Sequence, residues 1–221
     1  MTERVDPFRA IRDERPHDTP WGFMSWPPRV TRLTGHVVEL DPCVPERDAG
    51  PLFQALNSDS VWRHLPGRPR DAAEFAGTLA KRLAEGRIIW IVRLLRPYAG
   101  LAAGAVVGTS SYLDASIDDA RLEVGATAYT PAVWSTTVNP DSKLQLLGHA
   151  FESLGAGRVQ LKTDVRNVRS QEAIARLGAR YEGTLRRHQR RDDGTIRDSV
   201  LFSIVAEEWP AVRDGLVARV R

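Results

Sequence analysis

The chain has 221 residues, enough for one large domain with its own core, and 42% hydrophobic with 27% charged residues excludes general disorder. A net charge of +3 and an isoelectric point near 9.3 are too mild for nucleic-acid binding unless the basic residues gather on one face. The single cysteine, Cys43, excludes an internal disulfide framework and fits a reducing compartment, and five scattered histidines offer no ligand spacing, so no metal is expected.

The N-terminus is charged from Glu3 onward and lacks the apolar stretch of a signal peptide, and the longest apolar run, 101–108, is far too short to cross a bilayer. A soluble cytoplasmic protein is the expectation. Over 1–35, Pro7, Pro16, Pro20, Pro27 and Pro28 break regular structure, while Trp21, Phe23 and Trp26 are too apolar for a free tail. This arm is expected to dock on the body or on a second subunit, with 36–221 as the folded domain.

Residues 36–40 read as a strand. Leu52, Phe53 and Leu56 mark a helix over 46–57, a further helical turn follows at 61–65, and Pro66-Gly67 ends it. Asp71 caps the next helix, with Phe75, Leu79 and Leu83 as its stripe and Gly86 as its end. Strands follow at 88–95, 105–113 and 121–129. Asn139-Pro140 predicts a helix with Asn as N-cap and Pro in the first position, carrying Leu144, Leu147, Phe151 and Leu154 on one face up to Gly155. Val159, Leu161, Thr163 and Val165 alternate as a strand, Ser170 caps a helix ending at Gly178, and Asp193-Gly194 turns a hairpin between 183–189 and 199–205. The result is a mixed α/β domain around one sheet. The basic run Arg186-Arg187-His188-Gln189-Arg190-Arg191 meets Asp192 and Asp193 at once and holds no aromatics. It reads as a solvated hairpin; the alternative is a module that binds RNA or the ribosome.

Two stretches can carry chemistry. In Trp134-Ser135-Thr136-Thr137-Val138-Asn139 a helix start offers free N–H groups and the positive end of its dipole to an anion, with hydroxyls beside it and Lys143 one turn in. Read blandly, it is an ordinary capped helix. In Asn167-Val168-Arg169-Ser170 the asparagine, at a strand end before a helix, can offer its amide to an amide-bearing ligand, or can simply complete an Asx turn.

Together with Leu122-Glu123-Val124-Gly125, Ala150-Phe151-Glu152, Leu154-Gly155, Arg158-Val159, Leu177-Gly178, Gly183-Thr184-Leu185-Arg186 and Glu208-Trp209, these residues resemble the GNAT N-acetyltransferases over about 30–210. The likeness is to the branch of the RimJ and RimL ribosomal-protein N-terminal acetyltransferases. It implies a mostly antiparallel sheet of six to seven strands flanked by helices, and transfer from acetyl-CoA, as co-substrate, to a primary amine in a ternary complex. It further implies backbone contacts to acetyl-CoA from Ala126, Thr127 and Ala128, and a diphosphate held by Thr136, Thr137, Val138, Asn139 and Lys143, with Asn167 beside the pantetheine. Glu123 would take the amine's proton, or else pair with Arg121 or Arg93. Ile174 stands where relatives place a tyrosine acid, which leaves the role open among Ser170, Tyr129, Tyr181 and solvent. The acceptor side would hold Trp62, His64, Arg187 and His188, of which Trp62 also reads as core and His188 as exposed hairpin. A homodimer is common in this branch. Ser135 and Thr137 stand where the family's phosphate loop has two glycines, so a non-catalytic coenzyme binder is the alternative.

Overall fold

One mixed sheet of eight strands, in the order β1-β2-β3-β4-β5-β6-β8-β7, runs through the computed structural model, which describes residues 9–13, 20–28 and 31–221. In chain order the elements are β1 (Leu33–Thr34), β2 (Val38–Pro42), α1 (Pro45–Leu56), α2 (Asp59–Trp62), α3 (Ala72–Ala84), β3 (Ile88–Leu94), β4 (Val106–Ser116) and β5 (Arg121–Tyr129). Then come α4 (Val138–Gly148), β6 (Arg158–Asp164), α5 (Val168–Ala175), β7 (Arg180–Arg190), β8 (Ile196–Val205) and α6 (Trp209–Val220). All neighbouring strands are antiparallel except β5 and β6.

Alternation along the strands sorts the core into two layers. From β3, Ile89 and Ile91 face α1 and α3, where they meet Leu52, Leu56, Phe75 and Leu79. Trp90 and Val92 face the other way, into the larger core with Tyr112, Leu122, Val159, Leu146 and Leu147 of α4, and Leu216 of α6. Local chemistry starts the helices. Asp71 Oδ1 accepts the Glu74 N–H at 2.8 Å, capping α3 as expected. Asp48 Oδ2 reaches back to the Val44 N–H at 2.8 Å and so serves the orphan donor that N-cap Val44 cannot.

Five expectations are corrected. The sheet has eight strands because two-residue β1 pairs with β2, and a further helix, α6, buries Trp209, Val212, Leu216 and Val220 at helical spacing. The N-cap of α4 is Thr137, two residues before Asn139; the α4 residue Asp141 turns away to accept the Val37 and Val38 N–H groups at 2.7 and 3.1 Å. After Gly148 that helix widens into one π-helical turn, His149–Ser153. At α5 the cap is Asn167, whose Oδ1 accepts the Ser170 N–H at 3.1 Å; Ser170 is the residue capped.

The arm drawn over 1–35 lies partly outside the described residues. Within 20–28, Met24 is buried, the Met24 N–H donates to Ile117 O, and the Ser25 N–H donates to Leu154 O. The Trp21 ring lies against Gly157, where a Cβ would come within 2.1 Å of it.

Candidate active site

The site begins where two parallel strands part. β5 pairs with β6 only from Arg121–Glu123 to Arg158–Gln160; beyond that, β5 is bonded on its β4 side alone. The edge of β5 facing the gap is therefore unpaired over 124–129. A bulge lies on this edge. Thr109 faces Ala128 and Ser111 faces Gly125, so Ser110 stands opposite both Ala126 and Thr127. Ala126 takes a φ of 47° there and is exposed, while Gly125 and Ala128 are buried. An extra residue raises local twist and turns backbone groups out of the ladder, which is how a sheet opens a slot without losing its core.

At one end of the slot lies the start of α4. The N–H groups of Ser135, Thr136 and Thr137 find no acceptor among the described residues, and Val138 N–H reaches only Thr136 Oγ1 at 3.3 Å. The dipole of an eleven-residue helix points at the same spot. Ser135, Thr136, Thr137 and Pro140, with Tyr98 and Arg219, line an open depression of about 430 Å3. Ser135 has a φ of 61°, the left-handed backbone that a glycine would adopt freely. The loop thus keeps that turn with a serine in it. Thr137 has ordinary helical angles, and its hydroxyl bonds Tyr98 OH at 3.0 Å. Val138, the first residue of α4, is wholly buried and does not line the depression. Tyr98 and Arg219 come from distant parts of the chain, and nothing local announced them.

Lys143 does not reach this mouth. Its side chain runs inward beneath β5, where Nζ donates to Thr127 Oγ1 at 2.7 Å and Ser110 Oγ at 3.1 Å. Burial pulls its pKa down to about 7.

On the opposite face of the sheet stands Glu123, 5% exposed. Lys162 Nζ lies 2.7 Å from its Oε2, an ion pair whose angle falls short of a regular hydrogen bond. Burial pushes the Glu123 carboxyl up, and the facing ammonium offsets only part of that. Burial pulls Lys162 down, but Glu123 and then Asp114, which accepts from Nζ at 3.1 Å, more than reverse it. Gly125 leaves room for the carboxylate, since a Cβ there would sit 2.6 Å from Glu123 Oε1. The two arginines considered as partners are engaged elsewhere, Arg121 with Asp119 and Arg93 with Asp41 and Asp48. Lys162 went unnoticed in the sequence; its only signal was a lysine between the inward-facing Leu161 and Thr163.

His188 lies on this face too, its Nδ1 3.0 Å from Ser199 Oγ; burial, then Lys162 and Arg197, lower its pKa against the pull of Asp114. Arg187 has a φ of 50° and donates its N–H to Asp198 Oδ1 at 2.6 Å, in the irregular stretch of β7 between Leu185 and Gln189. Trp62 is committed to packing: its Nε1–H donates to Leu56 O and its ring meets Phe75 edge-on at 6.2 Å. The His64 pKa is lowered, first by burial and then by nearby arginines, against the pull of Asp164. Of the tyrosines weighed as acids, Tyr129 is buried, its hydroxyl makes no regular hydrogen bond among the described residues, and burial raises its pKa against a smaller opposing pull from Ser142. Tyr181 is exposed on β7, bonded to Thr184. In the hairpin run, Arg191 is held bidentately by Asp164 at 2.6 and 2.9 Å.

The family described as "Acetyltransferase (GNAT) domain" matches residues 38–180. A solved structure assigned as an acetyltransferase from T. thermophilus is 36% identical, covering 86% of this chain and 97% of its own, with a TM-score of 0.75. One from Chromobacterium violaceum ATCC 12472, assigned to the GNAT family, is 28% identical over 92% of this chain and 100% of its own, with a TM-score of 0.80. Mycobacterium smegmatis RimJ, solved in complex with CoA-disulfide, is 22% identical over 87% of this chain and 95% of its own at a TM-score of 0.69, a likeness of fold. No curated protein matches the chain.

Proposed function

The chain belongs to the GNAT acetyltransferases and is an acyltransferase, and on that premise we propose that it transfers acetyl from acetyl-CoA to a primary amine by direct attack. One observation carries the reading: the slot that opens between β5 and β6 beyond Glu123, with the bare N–H groups of α4 at one end and a buried carboxylate at the other. The residues present fit the co-substrate. A dipole-aligned helix mouth suits a diphosphate, and an unpaired strand edge suits the amide-bearing pantetheine arm.

Bound there, acetyl-CoA supplies a thioester carbonyl for the amine to attack. In this reading Ser135, Thr136 and Thr137 hold the diphosphate through backbone N–H groups, and the edge at Ala126, Thr127 and Ala128 orients the acyl group. Asn167, at the start of α5, stands beside the arm. Glu123 takes the proton released by the attacking amine, and its raised pKa makes it a stronger base than a free glutamate. Lys162 pulls that carboxyl's pKa back down against the upward push of burial. His188, Arg187 and His64 border the acceptor side, and solvent or Ser170 protonates the departing thiolate.

The acceptor, in the same reading, is a small amine or a protein N-terminus. The latter is supported by the residues shared with the RimJ and RimL branch, and the setting is a cytoplasmic homodimer. Phe23, 78% exposed on the arm, supports a subunit contact there; light scattering at the monomer mass would remove it. The decisive experiment is calorimetric titration with acetyl-CoA, followed by thiol release in the presence of an amine panel. Binding with amine-dependent release is the expected result. Binding without release by any amine leaves a coenzyme-binding protein, and no binding ends the reading.

A further inference from the structure

Lys143 is an anomalous ionisable group among the described residues. It is 4% exposed, yet its Nζ meets two neutral hydroxyls and no carboxylate. Ser110 faces it from β4 and Thr127 from β5, and no charged group acts on it from either strand. On its own helix, the Asp141 carboxylate is turned to the Val37 and Val38 N–H groups, and Ser142 donates to Val138 O. An amine buried in this way is costly, and an apolar side chain of similar volume would pack there at less expense. The choice of residue is pointed as well. The chain has three lysines among 31 basic residues, and Lys81 is the only one remote from the slot. Arginine keeps its charge everywhere, whereas a buried lysine can shed it.

The three polar atoms form a closed triangle, because Ser110 Oγ and Thr127 Oγ1 are themselves 2.7 Å apart. Its corners are the residue opposite the bulge, a residue within the bulge, and the second turn of α4. The triangle therefore ties the backbone kink at Ala126 to the helix whose first turn forms the anion mouth. It also restrains a non-glycine residue held at a φ of 47°, a conformation that persists only when its surroundings impose it.

We propose that Lys143 is a positioning residue for acyl transfer: acting through Thr127, it sets the Ala126–Thr127 bulge in register with α4, so that the unpaired strand edge meets the acyl oxygen. This rests on the acetyl-transfer reading above. Lys143 itself touches neither co-substrate nor amine.

The test compares wild type, Lys143→Met, Thr127→Val and the double variant. The readouts are kcat, KM for acetyl-CoA, CoA affinity by calorimetry, melting temperature, and the pH profile of kcat. Either single change should lower kcat about 10- to 100-fold, the scale of a small misplacement of reacting groups. KM for acetyl-CoA and affinity for CoA, which lacks the acyl group, should stay within about 3-fold. The double variant should be no worse than the poorer single one, because both cut the same link. An inflection of kcat near pH 7 should vanish in Lys143→Met.

Values of kcat within twofold of wild type in both single variants, with only the melting temperature moved, would overturn the proposal, as would losses that multiply in the double variant. If Lys143→Met does not fold, Thr127→Val decides alone, since it keeps shape and removes only the hydroxyl. Wild type that binds no CoA brings down the acetyl-transfer reading and this inference together. Wild type that turns over alongside equally active variants brings down this inference alone.

Discussion

Lys143 and Lys162 lie on opposite faces of the same sheet, and their surroundings drive them in opposite directions. Lys162 faces two carboxylates, Glu123 and Asp114, and its pKa rises above that of a free lysine. Lys143 faces two hydroxyls, and its pKa falls to about 7. Burial opposes the charge in both cases, so the outcome turns on what the neighbours return. One ammonium is kept permanently for a carboxylate; the other sits at the edge of losing its proton under ordinary conditions. The residue type says nothing of this; the partners decide it.

The largest expected effect probes the Lys162 face. Glu123→Gln should lower turnover about 100-fold or more, the usual contribution of a positioned base, while calorimetry finds unchanged affinity for acetyl-CoA. Turnover within twofold of wild type removes Glu123 from the chemistry.

Next, Lys162→Met strands a buried carboxylate. It should cost about 3 kcal/mol of stability at pH 8 in urea unfolding. The sign follows from linkage: with the ammonium gone, the Glu123 pKa in the folded chain rises further above its unfolded value. The penalty should therefore shrink as pH falls and the carboxyl is protonated, and the acid limb of kcat/KM should move to higher pH. A penalty independent of pH would mean that Lys162 matters only as packing.

Lys143 predicts the reverse slope. Its folded pKa is below its unfolded one, so the unfolded chain binds the extra proton and stability rises with pH between about 7 and the ordinary lysine value. The limit is about 1.4 kcal/mol per pH unit. Urea midpoints of wild type and Lys143→Met at pH 7, 8 and 9 should diverge accordingly; parallel lines would show that the amine is not perturbed. The smallest effect is at the anion mouth. Ser135→Gly should add about 0.5 kcal/mol, since relief of left-handed backbone outweighs the entropy glycine lends the unfolded chain. A destabilised variant would show that the serine hydroxyl holds the loop.

Most of the fold was legible because its signals are local. The Asp71 cap, the stripe Phe75, Leu79 and Leu83, and the Asp193-Gly194 turn each act within a few residues, and each lies where expected. Helix α6 was missed although Trp209, Val212, Leu216 and Val220 carry its period, because only contact with α4 makes that face worth burying. The start of α4 was misplaced for a tertiary reason: Asp141 serves β2, and the Thr137 hydroxyl serves Tyr98. Glu123 was singled out only by likeness to a family. Its partner was not, because Lys162 reaches it only through the three-residue parallel pairing of β5 with β6. Lys143 was placed at the anion mouth, whereas its side chain runs inward to Ser110 and Thr127, since helical spacing does not say how deep a long side chain will run.

Gly125 has a consequence beyond its own conformation. Two residues after Glu123, it lacks the one methyl that would collide with the carboxylate, so the carboxylate's resting place is defined by a neighbour's emptiness. The smallest possible enlargement of the chain, a single carbon at that position, would displace the Glu123 carboxylate. On the role proposed above for Glu123, a lineage carrying that carbon would keep its helix mouth and fall silent as a catalyst.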